Sequence, residues 1–218
     1  MPSVYARYAA PDARESGFAE RFEAVISGRQ PLPGHVVPGT EGIILRPLAR
    51  GREIVCARWG IVPHWAKPDF GRSRGFNVQA EDVLERPAFR NAFLKRRCVI
   101  PASFLLHHVD GRWIRTSSPS GEVLLLAGIW EPENSKTRGL DTYALLTTEP
   151  NEKVAPVCDR MAVVLPRDSL DAWMAEGTAI ETLQVLTATC PPHWLTTEDA
   201  GESASRRSRS GASMATHH

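Results

Sequence analysis

The chain has 218 residues, enough to bury a full hydrophobic core as one large or two small domains without a disulfide or metal staple. Hydrophobic residues make up 42% and charged residues 23%, which excludes collagen-like, coiled-coil and wholly disordered chains. The formal net charge of +1 conceals an uneven spread: residues 58–97 hold nine Lys or Arg against four Asp or Glu, and residues 131–200 hold five against twelve. The basic stretch is either a docking surface for an anionic partner or a plain solvated face. In chain order, the first 16 residues lack the apolar run of a signal peptide, and no window approaches the ~18 apolar residues of a membrane span. A cytoplasmic location with no membrane partner is expected. Phe18, Phe22, Val25 and Ile26 recur at helical spacing between Ser16, a helix-starting residue, and Gly28, a helix stop, predicting a helix over residues 13–27.

A Pro/Gly-rich passage from Pro31 to Thr40 leads into GIILRPL and EIVCARW, two apolar runs separated by Ala49, Arg50 and Gly51 that read as a hairpin. Beyond a loop with Trp65, Pro68 and Gly71, Phe89 and Phe93 stand one turn apart beside Arg90, Lys95, Arg96 and Arg97, predicting a short basic helix within Arg86 to Arg97. From Cys98 the pattern becomes strand-like: CVIPA, FLLHHV, RWIRT, EVLLLAGIW, TYALLTT and MAVVL, mostly with short connections. Such a series favours antiparallel sheet over a doubly wound nucleotide fold. Leu170, Trp173 and Met174 place a last helix at Asp168 to Ala175. A single domain over residues 1–197 is expected, followed by a mobile tail over 198–218 with almost nothing to bury.

Cys56, Cys98, Cys158 and Cys190 are far apart with no CxxC, as in a reducing compartment. No P-loop, dinucleotide, zincin or nucleophile-elbow motif is present, and nothing implies a metal or organic cofactor. A monomer is expected.

Four blocks carry more information. They are WGIVPHWAKPD (Trp59 to Asp69), FNVQAEDVLERPAFRNAFLKRRCVIPAS (Phe76 to Ser103), AGIW (Ala127 to Trp130) and CDRMAVVL (Cys158 to Leu165). In this order, over most of the folded chain, they resemble the SOS-response-associated peptidase family, also called abasic-site-processing proteins. The resemblance implies an α+β fold with antiparallel sheets in a barrel-like arrangement, peripheral helices, and a positively charged channel for single-stranded DNA around an abasic site. It also implies a chemistry in which a cysteine, made N-terminal by loss of the initiator Met, condenses its amine and thiol with the ring-opened sugar aldehyde. An asparagine, a glutamate and a histidine orient the sugar and move protons.

Compared residue by residue, the catalytic set is altered. Tyr5 stands at the family's cysteine position, Asn77 is retained, His107 replaces the glutamate, and Cys158 replaces the histidine. Gln79 stands where the family has an arginine, and His35 where it has an asparagine. Arg7, Arg72, Arg74, Arg90, Arg96 and Arg97 remain for phosphates, and Trp65 for stacking on a base. One expectation is therefore single-stranded or abasic DNA binding without the aminothiol crosslink. A second is a thiol hydrolase in which His107 activates Cys158 and Asn77 supports an oxyanion, set against a reading in which both replacements are simply buried filler. A third uses Pro2, exposed by removal of Met1, as an amine toward an aldehyde. A non-enzymatic scaffold for a protein partner fits the same residues.

Overall fold

A computed structural model describes residues 7–66, 75–137 and 139–202. Its strands are β1 (Arg7–Ala10), β2 (Ala24–Ile26), β3 (Gly34–Val36), β4 (Glu41–Pro47), β5 (Arg52–Trp59), β6 (Asn77–Gln79), β7 (Arg97–Ala102), β8 (Phe104–Val109), β9 (Arg112–Ser117), β10 (Leu124–Glu131), β11 (Asp141–Thr148), β12 (Met161–Ala162) and β13 (Thr196–Glu202). The helices are α1 (Pro87–Lys95), α2 (Leu170–Met174) and α3 (Ile180–Leu186). The fold is α+β and barrel-like, with the helices at the periphery.

The β4–β5 hairpin forms as its alternating apolar pattern dictates, with Ile43 opposite Cys56 and Leu45 opposite Ile54. β7 then pairs with β4 and β10, and β10 pairs with β11, all antiparallel. A parallel pairing of β11 with β5, Tyr143 opposite Trp59, closes these five strands on themselves, so the barrel they form has no free edge. β2 and β6 also pair in parallel, against β5 and β11; the sequence pattern pointed only to antiparallel pairs. The second sheet is antiparallel throughout, in the order β13-β9-β8-β1-β3. Its inner face meets the barrel where the hydroxyls of Tyr8 and Tyr143 lie 2.5 Å apart and Tyr8 packs edge-on to Trp59 at 5.4 Å. Burial drives both phenol pKa values upward, so the pair stays neutral. A Cβ at position 42 would collide with both hydroxyls, which is why β4 carries glycine there.

The helix expected over residues 13–27 does not form. Phe18 and Phe22 are buried against each other, with centroids 5.2 Å apart, but only Glu20–Phe22 makes a 3-10 turn. Glu23 adopts the left-handed conformation (φ 50°), and the chain leaves as β2, whose Val25 and Ile26 are exposed beside β5. Half the helical pattern was core and half an edge strand. At the other end, residues 198–202, expected in the tail, form part of β13. Its ladder to β9 is reinforced by Arg112 with Asp199 at 2.6 Å and Arg115 with Glu198 at 3.4 Å. Backbone pairing and charge hold this strand, so an inventory of buriable residues overlooks it.

Candidate active site and nucleic-acid contacts

Asn77 and the turn carrying Cys158 flank one strand from opposite edges. Asn77 in β6 stands beside Leu145 of β11, and Cys158 precedes β12, whose Met161 pairs with Thr148 at the other edge of β11. Arg160 ties these pieces together. Its guanidinium meets Glu149 at 2.8 Å and Glu81, two residues past β6, at 2.6 Å, and it donates to the Thr147 carbonyl at 2.9 Å. Its side chain is 12% exposed, so the clamp is mostly shielded from water.

The turn itself is shaped by Asn151, which the sequence did not single out. Its Oδ1 accepts from the Lys153 and Val154 amides at 3.1 and 3.2 Å, and its Nδ2 donates to the Cys190 carbonyl at 3.1 Å. The Cys158 amide then closes on the Val154 carbonyl at 2.9 Å. An Asn followed two and three residues later by amides that need acceptors is a local signature that could have been read. Cys158 is 4% exposed, and its Sγ lies 3.9 Å from Asp159 Oδ1.

His107 comes from the second sheet. In β8 it shares the inner face with Leu105 and is 2% exposed, with Nε2 3.1 Å from Thr116 Oγ1. Burial lowers its pKa to about 4, so at neutral pH the ring is uncharged. His107 thus carries neither a negative charge nor a proton acceptor tuned near pH 7.

The expected phosphate contacts divide sharply. Arg97 is 1% exposed, and its Nε donates to the Trp173 carbonyl at 2.5 Å. Its Nη1 donates to the Phe93 and Leu94 carbonyls at 2.5 and 2.8 Å, and Nη2 to that of Ala175. It caps the C-terminal ends of α1 and α2 from inside and cannot reach DNA. Burial also pulls its pKa down from the usual arginine value. Arg96 is engaged by the buried carboxylate of Glu131 and by the Trp130 carbonyl. The correction at Arg97 follows from the turn between α1 and β7, where the sequence shows a basic run but not which side of it faces the core. Arg90, Gln79 and Trp65 are exposed, Trp65 at 57%. Arg7 lies over the Trp113 ring at 4.1 Å. Pro2, Tyr5, Arg72 and Arg74 lie outside the described residues.

Among the described residues no cluster of three His, Cys, Asp or Glu could hold a metal, and no helix is long and apolar enough to cross a membrane. A cleft of about 410 Å³ near Ser118, Leu125, Arg167 and Trp194 is lined by none of Asn77, His107 and Cys158.

A closed mixed barrel joined to an antiparallel sheet is the α+β, barrel-like architecture that the family resemblance implied. The profile of the SOS response associated peptidase (SRAP) family matches residues 5–200, and the chain belongs to this family. It is 33% identical over 136 residues to the abasic site processing protein YoaM of Bacillus subtilis, covering 59% of this chain and 60% of that one. It is 32% identical over 123 residues to YoqW of the same organism, another abasic site processing protein, covering 54% and 55%. The chain therefore spans somewhat over half the length of these curated relatives. A protein of Bacteroides thetaiotaomicron superposes with a TM-score of 0.77 at 18% identity, covering 88% of this chain and 90% of that one. One of Bordetella bronchiseptica gives 0.75 at 24%, covering 89% and 98%. These two likenesses establish the shared fold.

Proposed function

We propose that this protein is an abasic-site-processing-type domain that binds single-stranded or abasic DNA reversibly, its cysteine-based crosslinking and self-processing chemistry lost or altered. The observation that carries the reading is His107, buried, uncharged and held by Thr116 at the family's glutamate position. A site that must move protons during condensation with an aldehyde needs a group that titrates near its working pH; this imidazole does not. Tyr5 at the cysteine position lacks the paired amine and thiol of a thiazolidine. Family membership supports the DNA partner, in keeping with relatives named for abasic-site processing. A role in the SOS response follows from the family name alone.

The thiol-hydrolase reading draws no support from the geometry. Cys158 is 4% exposed, and a pKa of about 4 makes His107 a poor base toward a thiol.

The test is an oligonucleotide bearing one abasic site, incubated with the protein with and without borohydride and separated under denaturing conditions. Salt-sensitive binding without a heat-stable adduct is expected. A heat-stable adduct formed without reductant overturns the reading, and an adduct seen only with borohydride and lost on blocking the terminal amine replaces it with amine chemistry at Pro2.

A further inference from the structure

The outer face of the five-stranded sheet carries an ordered set of rings and guanidinium groups. Strand register arranges them in three rows about 7 Å apart, the two-residue repeat of a β-strand. The first row is His35, Ala9 and Phe104; the second Arg7, Leu106, Arg115 and Glu198; the third His108 and Trp113. Across the rows the Arg7 guanidinium lies 4.1 Å from the Trp113 ring centroid and that of Arg115 lies 4.3 Å from the Phe104 centroid. His108 packs on Trp113 at 4.9 Å and His35 edge-on to Phe104 at 5.8 Å. His35 and His108 are exposed, and both arginines and both large rings are half-buried.

Two features separate this face from an ordinary solvated sheet. The Nε atoms of both Arg7 and Arg115 are buried without a hydrogen-bond partner, and each guanidinium lies over a ring, that of Trp113 or of Phe104. Among the described residues Arg7 has no carboxylate partner, and Arg115 reaches Glu198 only at 3.4 Å. Second, Leu106 between them is 6% exposed yet stands outside the main core cluster, so the face has its own small apolar floor.

A guanidinium held flat on an aromatic ring offers a further stacking surface to a nucleobase while its N–H fork remains available to a phosphate. Rings arrayed on a sheet face stack two or three bases in sheet-type single-strand readers, and base–aromatic stacking tolerates any base sequence. The face lies opposite His107, whose side chain points to the inside of the same sheet. We infer that the outer face of β1, β8 and β9 is a stacking platform for two or three nucleotides of single-stranded DNA, built by Arg7, Phe104, Trp113 and Arg115 on the side of the sheet away from His107. The platform rests on the DNA-binding reading given above and locates part of that binding.

The experiment measures binding of the full chain to fluorescein-labelled oligothymidine of about 12 nucleotides at low salt, by anisotropy. Trp113→Ala and Phe104→Ala are each expected to weaken binding about tenfold, and Trp113→Phe, which keeps a ring, to restore most of it. Arg50→Ala, in the exposed β4–β5 turn, is the control and binds as the unsubstituted protein does. Photocrosslinking of bromodeoxyuridine-substituted oligonucleotide to the unsubstituted protein, with peptide mapping, is independent of variant folding and places adducts in β8 or β9. Undiminished binding by both alanine variants, or adducts confined to other segments, overturns the platform and leaves DNA binding standing. Failure of the unsubstituted protein to bind at all overturns both.

Discussion

His107 and His108 are neighbours in β8 and stand on opposite faces of one sheet. The first is 2% exposed, hydrogen-bonded to Thr116 and held neutral by burial; the second is exposed and packs on Trp113. The arginines repeat the contrast between sheets. Arg97 has all three nitrogens turned to carbonyls inside the α1–β7 corner, whereas Arg7 lies over a ring at the outer surface. Residue type is the same within each pair, but solvation differs, and solvation decides whether a cation or an imidazole can meet a ligand or serves the fold.

The contrast breaks most visibly at Arg97. Arg97→Met is expected to lower unfolding free energy by about 3–5 kcal/mol, because it removes the donors of four carbonyls, those of Phe93 and Trp173 in buried bonds, with a matching fall in the urea midpoint. A loss of DNA affinity with unchanged stability would instead place Arg97 at the surface.

His107 gives the next effect, and it depends on pH. Its folded pKa of about 4 lies below the unfolded value near 6.5, so the unfolded chain binds the extra proton first. The stability tied to the neutral ring is therefore full above about pH 6.5 and is lost as pH falls toward 4, by about 3 kcal/mol in total. His107→Gln, able to keep the Thr116 hydrogen bond, should flatten the stability–pH curve across that window in chemical denaturation series. An unchanged curve would mean the ring is solvated and the two faces of β8 are alike.

Arg160→Met removes the clamp between the Glu81 segment and the Cys158 turn. A destabilisation of about 2 kcal/mol is expected, together with faster amide exchange across residues 151–158, read by hydrogen-exchange mass spectrometry. The smallest stability change is expected at Arg7. Arg7→Ala should leave unfolding free energy within about 1 kcal/mol while reducing the salt slope of oligonucleotide binding by about one.

Much of the scaffold was legible. The β4–β5 hairpin, the strands from Cys98 to Thr148 and the two-phenylalanine face of α1 follow from alternation, turn residues and the one-turn spacing of Phe89 and Phe93. The failures were where periodicity was ambiguous or irrelevant. Phe18 and Phe22 satisfied a helical spacing although the chain turns at Glu23, and β13 has too few apolar residues to register although two charge pairs hold it. Matching blocks singled out Asn77, His107 and Cys158 as candidate positions. The surroundings supplied by Thr116 and Arg160 could not be read, because both act through contacts between residues of different segments that only the folded chain brings together.

By itself the amino-acid order determined the family and the strand-rich α+β class, because these are properties of residue type and near-neighbour spacing. Tertiary structure alone decided that β11 closes onto β5, that Arg97 caps two helix ends from inside, and that Arg7 and Arg115 stack on rings of neighbouring strands. Each of these depends on which groups lose water when distant segments meet, and that is set by the assembled packing.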